Sequence, residues 1–174
     1  TLGIKNLDYL IADKNLINEN EFNLYKEKIL FLPKIWNVFA PPEILPDIEL
    51  KEKNNNTVFK FCSFNNYQKI SNRTVNVWSE ILKHKNSQLL LKTSHAGDID
   101  DLKDNILDKF MNNGVSRDQI IFLNREKNIH DHLKLYNKAN IALDTFPYPG
   151  VTTSFEAIMM GVPVLTMKGF NMNS

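Results

Sequence analysis

Short apolar runs alternate along the chain with stretches in which apolar residues recur three or four positions apart, and from Thr57 onward this alternation is regular. Val58-Phe59-Lys60-Phe61-Cys62, Gln88-Leu89-Leu90-Leu91, Ile120-Ile121-Phe122-Leu123, Ile141-Ala142-Leu143 and Val162-Pro163-Val164-Leu165 read as strands. Between them, Val77, Trp78, Ile81 and Leu82 mark one helical face. Ile99, Leu102, Ile106, Leu107 and Phe110 mark a second, and Ile129, Leu133 and Tyr136 a third. A short fourth helix carries Phe155, Ile158 and Met159 and stops at Gly161. Strands that are apolar throughout, rather than on alternate positions, belong in a parallel sheet covered on both faces. With right-handed crossovers the expected fold is α/β, a Rossmann-like, doubly wound parallel sheet. Such sheets bind ligands beyond the carboxyl ends of their strands, so functional residues are sought there.

The first forty residues have a different pattern. Tyr9-Leu10-Ile11-Ala12 and Ile29-Leu30-Phe31-Leu32 read as short strands, the second stopped by Pro33. Two isolated strands cannot bury a core, so residues 1–40 read as the end of an incomplete domain. A linker over 41–56 holds Pro41, Pro42 and Pro46, then Lys51-Glu52-Lys53 and Asn54-Asn55-Asn56. Its prolines favour extended backbone and its polar run cannot form a core. The sequence stops at Ser174, just after a strand, where a further helix is expected. Residues 57–174 therefore read as a domain that is incomplete at its C-terminal side.

Charge and cysteine content narrow the function. A net charge of +1 argues against a basic face for nucleic acid or an anionic membrane. No apolar run approaches the roughly 20 residues needed to span a bilayer, and Thr1-Leu2-Gly3-Ile4-Lys5 lacks a signal-peptide pattern. Cys62 is the only cysteine, which excludes an internal disulfide and a thiolate-built zinc site and favours a cytoplasmic protein. There is no Gly-x-Gly-x-x-Gly fingerprint, which argues against an epimerase or dehydrogenase of the dinucleotide-binding kind. There is no P-loop, and Ser154 does not stand in a nucleophile elbow. Asp98-Ile99-Asp100-Asp101 opens a helix, where capping and the helix dipole account for the acids.

Three segments fall at carboxyl ends of strands. Ser63-Phe64-Asn65-Asn66-Tyr67-Gln68-Lys69-Ile70 follows the first strand and enters a helix that Ser71 or Asn72 can cap. Its amides and Lys69 suit a phosphate or a sugar, and the plainer reading by position alone is a solvated turn with a surface lysine. Asn128-Ile129-His130-Asp131-His132 opens the third helix. The two histidines are two positions apart and face different sides, so they are not a metal pair. His132 shares the apolar stripe, either as a buried histidine bonded to a carbonyl or as a hydrogen-bond donor to a sugar or base. In the segment from Leu143 to Glu156 a strand ends at Asp144, the chain turns through Pro147, Pro149 and Gly150, and a helix starts near Thr152. The free N–H groups and positive dipole end of such a helix suit a diphosphate, with Thr152 and Thr153 adding hydroxyls and Glu156 accepting from ribose. An ordinary helix start with a threonine cap and an acid in its first turn has the same residues.

These segments carry a resemblance. Residues 57–174 resemble the C-terminal catalytic half of the protein O-GlcNAc transferase family, which includes plant SPINDLY proteins and bacterial homologues. The blocks, in order, are Ser63–Ile70, the His132 helix, and Ala142-Leu143-Asp144-Thr145-Phe146-Pro147-Tyr148-Pro149-Gly150-Val151-Thr152-Thr153-Ser154-Phe155-Glu156-Ala157 with Met160-Gly161-Val162-Pro163-Val164. Asp8-Tyr9-Leu10-Ile11-Ala12-Asp13 and Tyr25-Lys26-Glu27-Lys28-Ile29 are similar to the end of the family's other catalytic lobe.

The resemblance implies a two-lobed fold of the glycosyltransferase B type. This chain would supply the C-terminal lobe and the tail of the N-terminal one. It implies inverting transfer of a sugar from a nucleoside diphosphate (UDP-GlcNAc-like) to Ser or Thr of an acceptor protein, with no metal or other cofactor. It also implies a second lobe and tetratricopeptide repeats elsewhere in the polypeptide, so that the chain by itself would be inactive. By position, Lys69 resembles the lysine that stabilises the leaving diphosphate. Asn66, His132, Thr152, Thr153 and Glu156 resemble donor-binding positions, and a catalytic base is expected in the other lobe. Val151 departs from the histidine of animal members, and Arg125-Glu126-Lys127 does not match the family's base-binding segment. Phe146-Pro147-Tyr148 is closer in spelling to SPINDLY-like and bacterial members, and SPINDLY-like members can use GDP-fucose. A GDP-fucose-using O-fucosyltransferase, or a non-catalytic protein- or glycan-binding module, is therefore the alternative.

Overall fold

The apolar runs become strands and the periodic stretches become helices in a computed structural model that describes residues 6–49, 58–84, 86–93 and 100–169. The chain divides into two compact units, the first ending at Ala40 and the second beginning at Pro41.

In the first unit β1 (Tyr9–Ala12) and β2 (Lys28–Phe31) pair in parallel, with Tyr9 opposite Lys28 and Ala12 opposite Phe31. A 3-10 turn at Glu19–Leu24 lies between them in sequence. Ala12 and Ile17 are buried, and so is Asp13 at the end of β1. One Asp13 carboxylate oxygen accepts from the backbone N–H of Asn15 and Leu16, and the other from Trp36 at 2.8 Å. The Trp36 bond is the main reason that its carboxyl lies below the usual aspartate range.

The second unit holds β3 (Phe59–Ser63), β4 (Ser87–Leu91), β5 (Ile120–Phe122), β6 (Ile141–Leu143) and β7 (Val164–Leu165). All pair in parallel in the order β5-β4-β3-β6-β7. The helices are α1 (Asn72–Leu82), α2 (Asp100–Asn112), α3 (Ile129–Lys134) and α4 (Thr152–Met159). Successive residues of a strand point to opposite faces, and the core follows that period of two. Phe61, Leu89, Leu91 and Leu143 pack with Trp78 and Leu82 of α1 and Ile106 and Phe110 of α2. Their neighbours Cys62, Leu90 and Ala142 pack with Leu133 of α3, Tyr136 and Ala157 of α4. Helices on both faces of a parallel sheet make the doubly wound arrangement that the sequence pattern predicts.

Several boundaries differ for local reasons. Ser71, not Asn72, caps α1, accepting from Thr74 N–H at 3.1 Å. The stripe of Ile129, Leu133 and Tyr136 spans two elements, because α3 tightens into a 3-10 turn at Leu135–Lys138. Pro163 has no N–H to give a ladder, so β7 starts at Val164, two residues later than the apolar run. Gly161 ends α4 with φ +71°, a conformation that glycine adopts without strain. Residues 41–49 group with the second unit, where Asn137 Nδ2 donates to the Asp47 carbonyl at 2.8 Å. The charged and asparagine-rich part of the expected linker, Ile99 and the segment after Gly169 lie outside the described residues. Among the described residues no helix is long and apolar enough to cross a membrane.

Candidate functional site

The strand order reverses at β3 and β6, whose neighbours lie on opposite sides. A crevice opens at such a point between the loops leaving the two carboxyl ends. The loop after β3 carries Asn65, Asn66 and Lys69, and the loop after β6 runs from Asp144 to Val151.

Asp144 organises the second loop. Its Oδ1 accepts from the N–H of Thr145 at 2.9 Å and of Gly150 at 2.7 Å, and its Oδ2 from Thr166 Oγ1 at 2.9 Å. The Phe146 carbonyl lies 2.8 Å from both Ser71 Oγ and Thr74 Oγ1, so the residue that caps α1 also anchors this loop. The Phe146–Pro147 peptide is cis. Asn65, buried at the end of β3, bridges the loops: its Oδ1 accepts from Thr153 Oγ1 at 3.1 Å, and its Nδ2 faces Asp144 Oδ1 at 3.4 Å.

Lys69 closes the same crossing. Its Nζ donates to the Pro149 carbonyl at 3.1 Å and lies 4.3 Å from the centre of the Tyr148 ring. Burial pushes its ammonium below the usual lysine range, and the Asp144 carboxylate offsets part of that shift. Asn66 is spent locally, accepting from Gln68 N–H at 3.1 Å to cap the turn that presents Lys69.

The start of α4 faces this loop cluster without a side-chain cap. The threonine cap considered from sequence is absent, because Val151 takes the N-cap position and both threonines lie inside the helix, Thr153 giving its hydroxyl to Asn65 and Thr152 being exposed. Uncapped N–H groups at a helix start attract anions, with the helix dipole adding to the effect.

A second set of polar side chains lies behind that helix start. His132 Nε2 is 3.0 Å from Glu156 Oε2, and His132 Nδ1 is 3.0 Å from Lys92 Nζ. The Tyr136 hydroxyl is 3.1 Å from the Thr153 carbonyl and 3.3 Å from the same Glu156 oxygen. Burial, reinforced by Glu156, pushes the Tyr136 phenol far upward, so it stays protonated as a donor. Thr153 belongs to both clusters, through its hydroxyl and its carbonyl.

Of the residues expected from sequence, Lys69 and Thr153 both engage the loops at the crossing, Lys69 through Pro149 and Thr153 through Asn65, and His132 and Glu156 meet behind it. His132 does not bond a backbone carbonyl; both its ring nitrogens have side-chain partners. His130 points elsewhere, half exposed and 3.7 Å from Asp131. Sequence reasoning passed over Asn65, Asp144, Tyr136 and Lys92 as site residues. Lys92 had a readable signal, being a cation directly after the apolar run of β4 and so at a carboxyl end. Among the described residues no group of three or more histidine, cysteine or acidic side chains is placed to hold a metal.

Comparison with known proteins adds what geometry alone does not. The sequence profile of glycosyl transferase family 41 matches residues 49–174. The chain is 33% identical over 171 residues to a probable UDP-N-acetylglucosamine–peptide N-acetylglucosaminyltransferase SPINDLY of Hordeum vulgare, covering 97% of this chain and 18% of the relative. It is 29% identical over 181 residues to the corresponding probable transferase SEC of Arabidopsis thaliana, covering 96% of this chain and 18% of that one. A solved structure, a lysine-to-methionine variant of the O-GlcNAc transferase of Thermobaculum terrenum, superposes with a TM-score of 0.83 at 30% identity, covering 95% of this chain and 31% of the other. The parallel α/β architecture is that of a catalytic domain of the glycosyltransferase B type. The chain thus spans under a fifth of the length of these curated relatives.

Proposed function

The chain belongs to glycosyl transferase family 41, and on that premise we propose that its second unit binds the nucleoside-diphosphate sugar of an inverting transferase that glycosylates Ser or Thr of proteins. The relatives' names support UDP-N-acetylglucosamine as the donor and a protein as the acceptor. The observation that carries the reading is the meeting, where strand order reverses, of a lysine and an uncapped helix start.

Each residue then has a task. The diphosphate lies on the N–H groups that open α4, beside the hydroxyls of Thr152 and Thr153. Lys69 leaves the Pro149 carbonyl for a phosphate oxygen, exchanging a neutral acceptor for an anionic one. As the sugar departs, negative charge grows on the diphosphate, and a cation already in place stabilises that transition state. Glu156 accepts from ribose hydroxyls, with His132 beside it, and Asn66 shapes the turn below the donor. The transfer needs no metal or other cofactor. The acceptor lobe, its catalytic base and tetratricopeptide repeats belong to other parts of the polypeptide, and the protein works in the cytoplasm.

A second donor has one observation in its favour. The chain is more similar to the SPINDLY relative than to the SEC one, and the resemblance of its Phe146-Pro147-Tyr148 segment to SPINDLY-like members keeps GDP-fucose beside UDP-N-acetylglucosamine as a candidate. Ligand-observed NMR with UDP, GDP, UDP-GlcNAc and GDP-fucose tests both. Binding of one nucleotide series, weakened in Lys69→Ala, is the expected result and chooses the base. No binding of either at millimolar concentration sinks the donor role and leaves a protein- or glycan-binding module.

A further inference from the structure

Lys92 is the only lysine or arginine in the buried class among the described residues, with 4% of its surface exposed. Taking a cation out of water is costly unless something compensates it. No carboxylate lies within ion-pair distance of Lys92 among the described residues. Its ammonium is placed instead 3.0 Å from an imidazole nitrogen, His132 Nδ1. That arrangement has a direction. An ammonium has three hydrogens to give and no lone pair, so the nitrogen facing it must be the acceptor. An imidazole whose Nδ1 accepts carries its hydrogen on Nε2. Nε2 in turn lies 3.0 Å from Glu156 Oε2, an acceptor.

We propose that Lys92 is a positioning residue of the donor site: its ammonium locks His132 with the hydrogen on Nε2, so that His132 donates to Glu156 and fixes that carboxylate in the first turns of α4. The hydrogen-bond path from Lys92 to Glu156 runs through the ring. Glu156 Oε2 then receives both His132 and Tyr136, and Oε1 is left for a ligand hydroxyl.

The competing arrangement moves one proton and no heavy atom. A neutral Lys92 amine would accept from an Nδ1–H, and the ring would carry the charge. Burial and three charged neighbours bear on this choice. Burial pushes Lys92 below the usual lysine range and Arg125 adds to that, while Glu156 and Glu126 act against it. The two arrangements differ in which His132 nitrogens bear hydrogen, and that is directly measurable.

The polarity needs no ligand, and only its consequence for binding rests on the donor reading. The first measurement is therefore the ring 15N shifts of His132 in the full chain without nucleotide. The expected spectrum has an unprotonated Nδ1 and a protonated Nε2. In Lys92→Met the preference is released and both nitrogens move toward an averaged position, whereas Lys92→Arg, which keeps a donor, restores it. A doubly protonated ring in the unmutated chain overturns the proposal, as does an unchanged ring signature in Lys92→Met. If Lys92→Met does not fold, the unmutated chain and Lys92→Arg decide by themselves. UDP and GDP titrations read the consequence: Lys92→Met weakens binding about tenfold and Lys92→Arg recovers most of it. A locked tautomer in a chain that binds neither nucleotide bears out the polarity and overturns the donor site, which separates the two failures.

Discussion

Thr153 donates its hydroxyl to Asn65 Oδ1 across 3.1 Å, and this bond ties the start of α4 to the end of β3. The two residues are far apart in sequence: Asn65 lies in the loop after β3 and Thr153 in the first turn of α4, on either side of the point where strand order reverses. α4 begins without a side-chain cap because Val151, which has no hydrogen-bonding side chain, holds the N-cap position.

Gly150 must be glycine for this bond to form. A Cβ there would collide with Thr153 Oγ1 and stand 3.0 Å from Asn65 Oδ1. Neither atom ends a long flexible side chain, so the collision is relieved by breaking the bond. Gly150→Ala should cost about 1–3 kcal/mol of stability as overpacking does. It should also weaken nucleotide binding more than its effect on folding explains, because the start of α4 moves. Denaturant unfolding and nucleotide titration of the same variant check both.

Lys69→Ala removes the cation at the crossing while leaving Asp144 to hold the loop. A charge-assisted hydrogen bond contributes about 1.5–3 kcal/mol, so nucleotide affinity should fall about ten- to a hundredfold. Burial lowers the Lys69 pKa, and a bound diphosphate raises it again. The contribution of Lys69 to binding is then complete below its pKa in the free protein and declines as pH rises through it. Titration calorimetry across alkaline pH should show that decline in the unmutated chain and lose it in Lys69→Ala.

Tyr136→Phe tests the buried set behind the helix. The hydroxyl that is lost faces the Thr153 carbonyl and Glu156 Oε2. The ring itself is 1% exposed and packs 4.6 Å from Phe64, so its apolar contacts survive. A net hydrogen bond is worth about 0.5–1.5 kcal/mol, and the stability loss should fall near there. Glu156→Ala should cost more, because it leaves the buried side of His132 without its carboxylate partner, while the Tyr136 hydroxyl keeps only the Thr153 carbonyl. Paired unfolding curves give the order.

Phe110→Ala tests the core on the α2 side. Phe110 is fully buried among Trp78, Leu107 and Ile120. The expected loss is about 3–5 kcal/mol, a large part of the stability of an ordinary domain. An early thermal transition in circular dichroism reports it.

Asp13 gives the first unit its own acid sensitivity. Its carboxyl lies below the usual range because backbone N–H groups, Trp36 first, bond the charged form. A group lowered in this way contributes stability above its unfolded pKa and loses it as pH falls through the folded one. Asp13→Ala should therefore lower the melting temperature near neutral pH and make little difference in strong acid.

The fold was legible because it rests on local signals. Uniformly apolar strands such as Leu89-Leu90-Leu91 can be buried only with cover on both faces, and the helical spacing of Trp78, Leu82, Ile106 and Phe110 says what covers one of them. The same signals placed Lys69, His132, Thr153 and Glu156 near carboxyl ends. Sequence also determined the absence of an internal disulfide, the small net charge and the short loop that a proline-rich segment makes after β6. Tertiary structure alone decided who meets whom. Asn65 and Thr153 are joined, His132 is engaged at both nitrogens, and Lys92 is buried behind α4 rather than exposed at its start. Hydrogen bonds between loops depend on side-chain reach and direction after the strands are in order, and neither has a period in the sequence. The order of the strands had first to bring β3 beside β6 before any of those bonds could exist.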